Sequence, residues 1–435
     1  MFTQNEKVCV VGLGYVGLTL AMHAARNGYE VHGVEILDST YEVIASGHTY
    51  FHEPGLDELL KLSINKSFFV HKEIPKDEGF DIIIITVGTP LTVGAKLPNM
   101  SVLDNAVSSI SALVNEQTLL VLRSTIPVGT SAKQAEKILG ANNLSSINIS
   151  FCPERTAEGK ALVELQSLPQ IISGNNEVAV KKARQFFESL ADEVVVAGSL
   201  EEAELIKLFN NTYRDASFAI ANTFNQIAQS FNVDGLAVID KANYNYERSS
   251  IPKPGFVAGP CLEKDAYILS SNMRDGDLKD FLLSIRRANE NVEVEIVDYI
   301  KKIFVDNEHA KILITGIAFK GLPQTNDLRG SSAIKVLNQL LEYADKITIH
   351  DFMNSKEDLM KVVSINSLDS DEIFEKNNLV YDYIFILNNN PQYKGLKMAE
   401  FTSEQVTEGS KIIDIWDVMK LPEQFTLSNL FVRET

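Results

Sequence analysis

The stretch Lys7-Val-Cys-Val-Val11-Gly12-Leu-Gly14-Tyr-Val-Gly17 decides the fold of the N-terminal part of the chain. Its first five residues have the apolar, β-branched character of a buried strand, and a helix-compatible run follows the glycines. Glycines at the spacing G-x-G-x-x-G allow a tight turn and the close approach of a pyrophosphate, whose charge the helix N-terminus receives. The sequence therefore predicts a Rossmann domain for a dinucleotide, although glycines in a structural turn are the alternative. The expected cofactor contacts are Gly12, Gly14, Tyr15, Val16 and Gly17.

An acidic residue, Glu35, closes the second predicted strand, Glu30–Val34. A carboxylate at this place accepts hydrogen bonds from the adenosine ribose and repels a 2′-phosphate. The sequence therefore favours NAD over NADP.

Further apolar strands follow at regular intervals, with stretches between them that can form helices. We predict strands at Asp81–Thr86, Thr118–Arg123, Ile147–Phe151, Gln170–Ser173 and Glu193–Val196. This alternation predicts an α/β domain with a parallel sheet covered on both faces. Ligands of such sheets bind beyond the carboxyl ends of the strands. The functional segments should therefore be Gly88–Pro90, Ser124–Gly129 and Cys152–Gly159.

A helical region and a second α/β layer follow. Ser199-Leu-Glu-Glu202 has the pattern of a capping box and predicts a helix that extends to about Phe231. Six apolar residues recur along it at helical spacing and predict one buried face: Ala203, Ile206, Tyr213, Ile220, Phe224 and Ile227. A second long helix is predicted from Asp277 to about Ile303. The C-terminal layer comprises predicted strands at Lys311–Thr315, Lys346–Ile349, Asp382–Leu387 and Lys411–Asp414, and a helix at Ala333–Tyr343.

These patterns divide the chain into an NAD-binding Rossmann domain (1–199), a helical middle domain whose long helix could supply a subunit interface (200–305) and a second α/β domain (306–435). Lys320 and Arg329 lie on loops of the last layer, where they could neutralise a diphosphate or remain ordinary surface charges.

Composition narrows the function classes. The 435 residues carry a net charge of −18, which argues against a nucleic-acid or anionic-membrane partner. The three widely spaced cysteines suit a reducing cytosol, and the first residues lack the features of a signal peptide. We therefore expect a cytoplasmic protein. His48 and His52 beside Glu53 could suggest a metal, but Pro54 and Gly55 crowd them, and we expect none.

The third cysteine lies in an unusual segment, Gly255-Phe-Val-Ala-Gly-Pro-Cys261-Leu-Glu-Lys264-Asp265. A nearby cation favours the thiolate form of a cysteine, and the thiolate is the nucleophile. Cys261 is thus either a nucleophile or a packed loop residue. Lys207 and Asn211, four apart on the predicted long helix, share one face.

Taken together, these segments carry a resemblance. The matching pieces are Gly12–Gly17, Glu53-Pro-Gly-Leu56, Val87-Gly-Thr-Pro90, Ser124–Gly129, Pro153-Glu-Arg155, Lys207 with Asn211, Cys261 with Lys264-Asp265, and Phe319-Lys320 with Asp327-Leu-Arg329. In this order and at these separations the chain resembles the nucleotide-sugar 6-dehydrogenases. The resemblance implies two NAD-dependent oxidations of C6 of a UDP-sugar and a uronic acid product that serves as a polysaccharide precursor. It also implies that the middle domain (200–305) forms a homodimer and that the last domain (306–435) is Rossmann-like and binds the nucleotide sugar.

The resemblance also implies roles for individual residues. Cys261 would hold the half-oxidised sugar as a thiohemiacetal and then as a thioester, with Lys207 and Asn211 stabilising the oxyanion. Asp265 would orient or deprotonate water, Thr125 would hold a water or the C6 oxygen, and Glu154 and Glu158 would act on water and on the substrate. The remaining implied contacts are Thr89, Thr125 and Arg329 with NAD, and Glu158, Lys207, Asn211, Arg248, Gly259 and Lys320 with the substrate.

Departures from the family pattern bear on the sugar. Val257 and Ala258 replace part of a glycine-rich run, Pro260 precedes Cys261, and Arg155 follows Glu154 as in the N-acetylhexosamine enzymes. The sequence therefore favours a UDP-N-acetylhexosamine such as UDP-N-acetylmannosamine, with UDP-glucose as the alternative. Two other functions remain open: a two-electron hydroxyacid or sugar-phosphate dehydrogenase, and a non-catalytic protein that binds NAD or a nucleotide sugar.

Overall fold

The structure is a computed structural model that describes residues 6–370, 372, 380–394 and 406–419. The chain forms two compact units. Unit 1 is Met1–Asn210 with Tyr267–Arg274, and unit 2 is Asn211–Ala266 with Asp275–Thr435. The division into three domains at residues 199 and 305 stays a prediction.

Unit 1 contains a parallel sheet of six strands. They are β1 (Lys7–Val11), β2 (Glu30–Val34), β3 (Phe68–His71), β4 (Ile82–Ile85), β5 (Leu119–Leu122) and β6 (Asn148–Phe151). Their order is β3-β2-β1-β4-β5-β6, so the order reverses between β1 and β4. This reversal is the place where a doubly wound sheet binds a dinucleotide, and it confirms the predicted Rossmann fold.

Helices cover this sheet, and two short strands pair beside it. The helices are α1 (Tyr15–Arg26), α2 (Asp38–Ala45), α3 (Leu56–Ser63), α4 (Ser101–Ile110), α5 (Thr130–Asn142), α6 (Ala161–Ser167) and α7 (Glu177–Glu188). The predicted strands near residues 170 and 193 are β7 (Gln170–Ile172) and β8 (Val194–Val196), which pair with each other in a separate sheet.

The isoleucines of β4 show why the sheet is buried on both faces. Ile82 and Ile84 belong to one apolar cluster, whereas Ile83 and Ile85 belong to a second. Because side chains alternate along a strand, the two clusters lie on opposite faces of the sheet. A strand that is buried on both faces has a continuous apolar sequence, and the sequence of β4 has this character.

Four helices follow: α8 (Leu200–Ser230), α9 (Gly235–Asn243), α10 (Leu262–Ser271) and α11 (Asp277–Asp306). The predicted start of α8 is confirmed, because the Glu202 amide donates to the Ser199 hydroxyl at 3.1 Å. The Glu202 carboxylate accepts from the Gly198 amide at 2.7 Å, one residue before the partner expected in a capping box.

The prediction of a buried apolar face on α8 was wrong for most of its length. Ala203 is buried, but Tyr213, Ile220, Phe224 and Ile227 are 75%, 50%, 44% and 51% exposed. The buried face carries polar residues instead, namely Lys207, Asn211, Asp215, Asn222 and Asn225. The apolar rule fails here because several of these polar groups have hydrogen-bond partners inside the protein.

Unit 2 contains a second parallel sheet. Its strands are β9 (Ile312–Thr315), β10 (Ile347–His350), β11 (Asn366–Leu368), β12 (Tyr381–Ile386) and β13 (Val406–Asp414), and its further helices are α12 (Ser332–Asn338) and α13 (Lys356–Val362). The order β11-β10-β9-β12-β13 repeats the order of the first five strands of unit 1. The helix predicted at Ala333–Tyr343 is shorter in the structure, where α12 ends at Asn338 and a 3-10 turn at Leu341–Tyr343 follows it.

Candidate active site

The glycine-rich loop of unit 1 leaves an open space at the N-terminus of α1. A Cβ atom added to Gly17 would lie 1.9 Å from the Gly12 carbonyl oxygen, so the loop and the helix meet there without room for a side chain. Gly14 is the N-cap of α1, and a Cβ atom added to it would meet no atom within 4 Å. Free helix amides and open space suit a pyrophosphate, so this loop fits a dinucleotide.

Glu35 lies immediately after β2 and is buried. Its carboxylate accepts hydrogen bonds from the backbone amides of Leu13, at 3.2 Å, and Leu37, at 3.0 Å. Two donors leave acceptor capacity on the carboxylate. Glu35 is thus held beside the glycine-rich loop with lone pairs that can accept from ribose hydroxyls.

Two hydroxyl groups connect the ends of β4 and β5. Thr89 donates to the Thr125 carbonyl at 2.6 Å, and Ser124 donates to the Val87 carbonyl at 2.6 Å. Thr125 itself is half-buried, and Thr89 is buried. Both predicted threonines therefore lie at the carboxyl edge of the sheet, where ligands of this fold bind.

Glu53 fixes the segment that carries Glu158. The Glu53 carboxylate accepts from the Tyr15 hydroxyl and from the Gly159 amide, the latter at 2.8 Å. The Gly159 amide also donates to the Tyr15 hydroxyl at 2.6 Å. Since Tyr15 begins α1, the half-buried Glu158 is tied to the cofactor loop through its neighbour Gly159.

Glu154 is paired with an arginine that the sequence did not identify as functional. Arg123 donates to Glu154 Oε2 through Nε at 3.1 Å and Nη2 at 2.7 Å. The other oxygen accepts from the amides of Arg155 and Thr156, at 2.7 and 2.8 Å. Burial alone would raise the pKa of Glu154, but the Arg123 charge and the Thr156 amide overcome it and lower the pKa. Both oxygens are engaged, so this carboxylate is fixed as an anion.

Arg155, the residue that favours an N-acetylhexosamine, is half-buried. Its guanidinium donates to the Pro169 carbonyl. This contact ties the segment after β6 to the residue just before β7.

Cys261 is exposed and lies directly before α10. Its carbonyl accepts from the amides of Lys264, at 3.2 Å, and Asp265, at 3.1 Å, so it forms the first turn of the helix. The two other cysteines are buried, and burial raises the pKa of Cys9 to about 12 and of Cys152 to about 11. Among the three thiols, only that of Cys261 is accessible and next to a helix N-terminus, which favours a thiolate.

Asp265 contacts two of the other predicted residues. Asn211 Nδ2 donates to Asp265 Oδ2 at 2.6 Å, and Lys264 Nζ lies 3.3 Å from Asp265 Oδ1. Lys207 is buried one turn before Asn211 on the same face of α8. The structure therefore brings Asn211, Asp265 and the Cys261 backbone together.

The other predicted residues of unit 2 occupy loops. The Gly259 amide donates to the Gly330 carbonyl at 2.9 Å, and a Cβ atom on Gly259 would lie 2.5 Å from the Phe319 ring. The Lys320 ammonium lies 5.2 Å from the centroid of that ring. Arg329 pairs with Asp327 at 2.6 Å, and exposed Arg248 stacks on Tyr246 at 4.9 Å.

One possible metal-binding group occurs among the described residues, at the opposite edge of the first sheet. Glu30, His32 and Glu78 offer ligand atoms close to one another. The Lys7 ammonium lies 3.1 Å from Glu30 and also contacts Glu78. Because the Lys7 ammonium already pairs with both carboxylates, it occupies the place that a metal ion would need.

Sequence reasoning missed Asp215, Asn222 and Arg286. Asp215 is buried with Arg286, whose Nη1 donates to Asp215 Oδ1 at 2.6 Å. The available signal was the spacing Lys207, Asn211, Asp215, which continues one helix face by a further turn.

Comparisons with known proteins agree with this geometry. The NAD binding domain of the UDP-glucose/GDP-mannose dehydrogenase family matches residues 6–191, its central domain matches 201–291, and its UDP binding domain matches 313–421. A UDP-N-acetyl-D-mannosamine dehydrogenase of Methanocaldococcus jannaschii is 30% identical over 412 residues, which cover 94% of this chain and 91% of that protein. The chain belongs to the UDP-glucose/GDP-mannose dehydrogenase family. It is an NAD-dependent nucleotide-sugar dehydrogenase, as the sequence predicted.

A second relative and a solved structure are named for the same activity. A UDP-N-acetyl-D-mannosamine dehydrogenase of Pyrococcus horikoshii is 32% identical over 371 residues, covering 82% of this chain and 86% of that protein. A solved structure of UDP-D-ManNAc dehydrogenase from Pyrococcus horikoshii superposes with a TM-score of 0.82 at 27% identity, covering 98% of this chain and 99% of that chain. Within the part of this dehydrogenase that the structure describes, no helix combines the length and apolar character needed to span a membrane.

Proposed function

We propose that the enzyme oxidises C6 of a UDP-N-acetylhexosamine, such as UDP-N-acetylmannosamine, twice and releases the uronic acid, a polysaccharide precursor. The observation that carries this proposal is the exposed Cys261 at the start of α10, with Asp265 on the same turn held by Asn211. A covalent sulfur link retains the aldehyde between the two oxidations.

NAD⁺ supplies the hydride acceptor at each oxidation. First, the C6 hydroxyl loses a hydride and a proton to become an aldehyde. The Cys261 thiolate adds to the aldehyde carbon, and the oxygen takes a proton to give a thiohemiacetal. Loss of a second hydride and a proton gives a thioester. Water then adds and the carbon–sulfur bond breaks, which leaves the carboxylate and the thiol and releases one proton.

The residues of α8 and α10 suit the charged stages of this sequence. An oxyanion forms at each addition step and needs donors and positive charge. Lys207 and Asn211 are assigned to this task because both are buried on one face of α8. Asp265 is assigned to orient the attacking water because its carboxylate is held by the Asn211 amide.

The two glutamates of unit 1 differ in their contacts. Glu154 has both oxygens bound by Arg123 and by backbone amides, which favours a role in fixing the segment after β6. Glu158 is half-buried on the next turn of that segment. We therefore assign substrate contact and proton transfer to Glu158, with Thr125 holding a water or the C6 oxygen.

Two cations are assigned to the phosphates. Lys320 is proposed to bind the diphosphate of the UDP-sugar, and Arg329 is proposed to reach NAD. Arg248 is proposed to contact the sugar bound to a second subunit. Gly259 is proposed to allow close approach of the sugar to the cysteine segment.

The decisive experiment compares wild type with Cys261→Ser. The proposal predicts two NADH for each uronic acid in wild type and a collapse of acid production in the variant. One NADH per sugar, with turnover kept in the variant, would instead identify a two-electron dehydrogenase. Tight binding without NADH formation would identify a non-catalytic binding protein.

The sugar is tested by NADH absorbance with three substrates: UDP-N-acetylmannosamine, UDP-N-acetylglucosamine and UDP-glucose. The relatives named UDP-N-acetyl-D-mannosamine dehydrogenase support the first of these. Turnover of UDP-glucose alone would contradict the assignment and the interpretation of Arg155.

A homodimer through α8 is also proposed. The exposed apolar face of this helix includes Tyr213, Ile220, Phe224 and Ile227. A continuous apolar surface of this kind is typical of a subunit interface. Sedimentation velocity should give twice the chain mass, and Phe224→Glu should shift the enzyme to a monomer. A wild-type monomer at micromolar concentration would contradict the proposal.

A further inference from the structure

We propose that Arg286 and Asp215 are positioning residues that fix the Cys261 thiol. Arg286 forms hydrogen bonds with the backbone on both sides of Cys261, and Asp215 holds Arg286 in place. The proposal rests on the proposed function, in which Cys261 is the nucleophile. Neither Arg286 nor Asp215 belongs to the predicted catalytic set, and both lie in unit 2 together with Cys261.

Arg286 reaches the cysteine segment from α11 and is 1% exposed. Its Nη2 donates to the Val257 carbonyl at 3.1 Å, and its Nη1 donates to the Leu262 carbonyl at 3.4 Å. These carbonyls lie before and after Cys261 in the chain. One planar fork therefore fixes the two ends of the short segment that carries the thiol.

Asp215 holds this fork in one orientation. Its Oδ1 accepts from Arg286 Nη1 at 2.6 Å and from Asn289 Nδ2 at 2.8 Å. Asn289 Nδ2 also donates to the Asp215 carbonyl at 2.8 Å. The carboxylate and the guanidinium are thus coupled to each other and to the backbone of α8.

The pair is poorly arranged for stability alone. Asp215 Oδ2 and Arg286 Nε are buried without a hydrogen-bond partner, and the Glu290 carboxylate oxygen lies 3.7 Å from that Nε, beyond hydrogen-bond distance. Burial raises the pKa of Asp215, against the effect of the Arg286 charge. A buried ion pair with unsatisfied atoms is a weak source of stability, and such atoms often mark a functional constraint.

A second contact fixes the beginning of the same segment. The Gly255 amide donates to Asn222 Oδ1 at 2.8 Å, and Asn222 Nδ2 donates to the Gly255 carbonyl at 3.1 Å. Asn222 Nδ2 also donates to Asn289 Oδ1 at 2.9 Å. Asn222 therefore joins Gly255 to the network that orients Asp215.

Residues on one face of α8 consequently hold the cysteine segment at several points. Asn211 contacts Asp265, Asp215 contacts Arg286, and Asn222 contacts Gly255. A thiol that must first capture an aldehyde and then present the adduct for a second oxidation needs one fixed position. A displacement of about 1 Å can reduce the rate about 10²-fold.

The test variant is Arg286→Lys. Lysine keeps the positive charge beside Asp215, but a single ammonium lacks the planar fork that reaches two carbonyls at a fixed separation. The matched control is Gln226→Ala. It removes the 2.6 Å contact of Gln226 with Glu295, which joins the same two helices outside the recorded contacts of the cysteine segment.

Three readouts separate positioning from simple destabilisation. In Arg286→Lys, kcat should fall by about 10²-fold with little change in KM for the UDP-sugar. The ratio of NADH to uronic acid should rise above two, because half-oxidised sugar escapes and can be trapped as an aldehyde adduct. Iodoacetamide labels Cys261 selectively because Cys9 and Cys152 are buried. In Arg286→Lys, the rate of this labelling should reach its half-maximal value at a higher pH than in wild type. The control should change none of these.

A variant that merely contains fewer folded molecules would lower kcat but keep the ratio at two and the labelling midpoint unchanged, and that result would overturn the proposal. If Arg286→Lys does not fold, the uncharged Asn222→Ala decides by the same readouts. A wild-type ratio of one, or an active Cys261→Ser, would refute the proposed function. A wild-type ratio of two with variants like the control would refute only the positioning role.

Discussion

The two parallel sheets have the same strand order, yet their first loops are built differently. In unit 1, the strand β1 leads into G-x-G-x-x-G from Gly12 to Gly17. In unit 2, the strand β9 leads into G-x-A-x-x-G from Gly316 to Gly321, so Ala318 stands where the first loop has its central glycine.

The acidic residue after the second strand also differs. Glu35 accepts two backbone amides and keeps free acceptor capacity. Asp351 accepts four donors. They are the amides of Ile317 at 2.7 Å, Ala318 at 2.9 Å and Met353 at 2.8 Å, and the Asn354 side chain at 3.1 Å. Because its loop already saturates Asp351, this carboxylate has no place for a ribose.

The first loop has open space next to its central position, whereas the second loop is closely packed. Gly14 faces open space, whereas Ala318, at the equivalent central position of the second loop, is buried. The last glycine is crowded in both loops, and a Cβ atom on Gly321 would lie 1.9 Å from the Asn390 amide nitrogen. The chain after β12 therefore packs onto the second loop. The comparison shows that strand order alone does not create a dinucleotide site; an open central position and an acid with spare acceptors are also needed.

The largest effect should follow from Gly17→Ala in the first loop. The new methyl group would lie 1.9 Å from the Gly12 carbonyl oxygen, so the loop or α1 must move. We expect a loss of about 3 kcal/mol in the free energy of unfolding, measured by denaturant titration. Gly14→Ala is the control, because its space is open and its φ of −63° suits alanine. It should retain most of the stability but bind NAD at least about tenfold more weakly, by about 1.4 kcal/mol. Unchanged NAD affinity would contradict the assignment of the open space.

The next effect concerns Asp351→Asn in the second loop. An amide has one acceptor oxygen and would direct its NH₂ group at backbone donors, leaving buried groups unsatisfied. We expect a loss of about 2 kcal/mol in the free energy of unfolding. Glu35→Gln, which meets only two backbone donors, should lose less than half as much. Equal losses for the two variants would show that the carboxylates have the same role.

A smaller effect is expected when Glu35 is replaced by serine. Serine removes the charge that repels a 2′-phosphate and leaves a shorter, uncharged side chain. The ratio of kcat/KM for NADP to that for NAD should rise about tenfold, or about 1.4 kcal/mol. Steady-state kinetics with both cofactors gives this ratio. The matched variant Asp351→Ser in the second sheet should leave the ratio unchanged, and a similar rise there would refute the comparison.

Much of this architecture could be predicted because its signals are local. The glycine spacing, the apolar run of β4 and the capping box before α8 each act over a few residues. The first two features occur as expected, and the third occurs with Gly198 in place of Ser199 as the partner of the Glu202 carboxylate. β3 was missed because its FFVH sequence is short and lacks clear alternation. The exposed apolar face of α8 could not be recognised, since helical spacing does not tell which face a protein buries.

The polar framework of the site is harder to predict because its partners are distant in the chain. Arg123 and Glu154 are 31 residues apart, and Asp215 and Arg286 are 71 apart. Charged residues are usually exposed, so a single sequence gives little reason to pair them. The catalytic set itself was assembled from resemblance, and the structure shows contacts between Asn211 and Asp265 and between the backbones of Asp265 and Cys261.

The smallest effect at neutral pH should come from a buried histidine in each unit. Burial lowers the pKa of His350 from 6.5 to about 3 and also lowers that of His23, which bonds to the Leu190 carbonyl. His350 bonds to Thr315 and stays neutral in the fold, while the unfolded chain binds a proton below pH 6.5. Its contribution is therefore complete above pH 6.5 and is lost progressively as the pH falls towards 3, by up to about 1.4 kcal/mol per pH unit.

His350→Phe should remove this acid dependence and change stability at pH 7.5 by less than about 1 kcal/mol, because Thr315 keeps its bond to Tyr393. Denaturant titrations at several pH values between 4 and 7.5, roughly the window set by the two pKa values, measure the slope. Replacement of the exposed His309 by phenylalanine is the control and should leave the slope as in wild type. If His350→Phe keeps the wild-type slope, the acid sensitivity belongs to other groups, with the buried His23 of unit 1 as the next residue to replace.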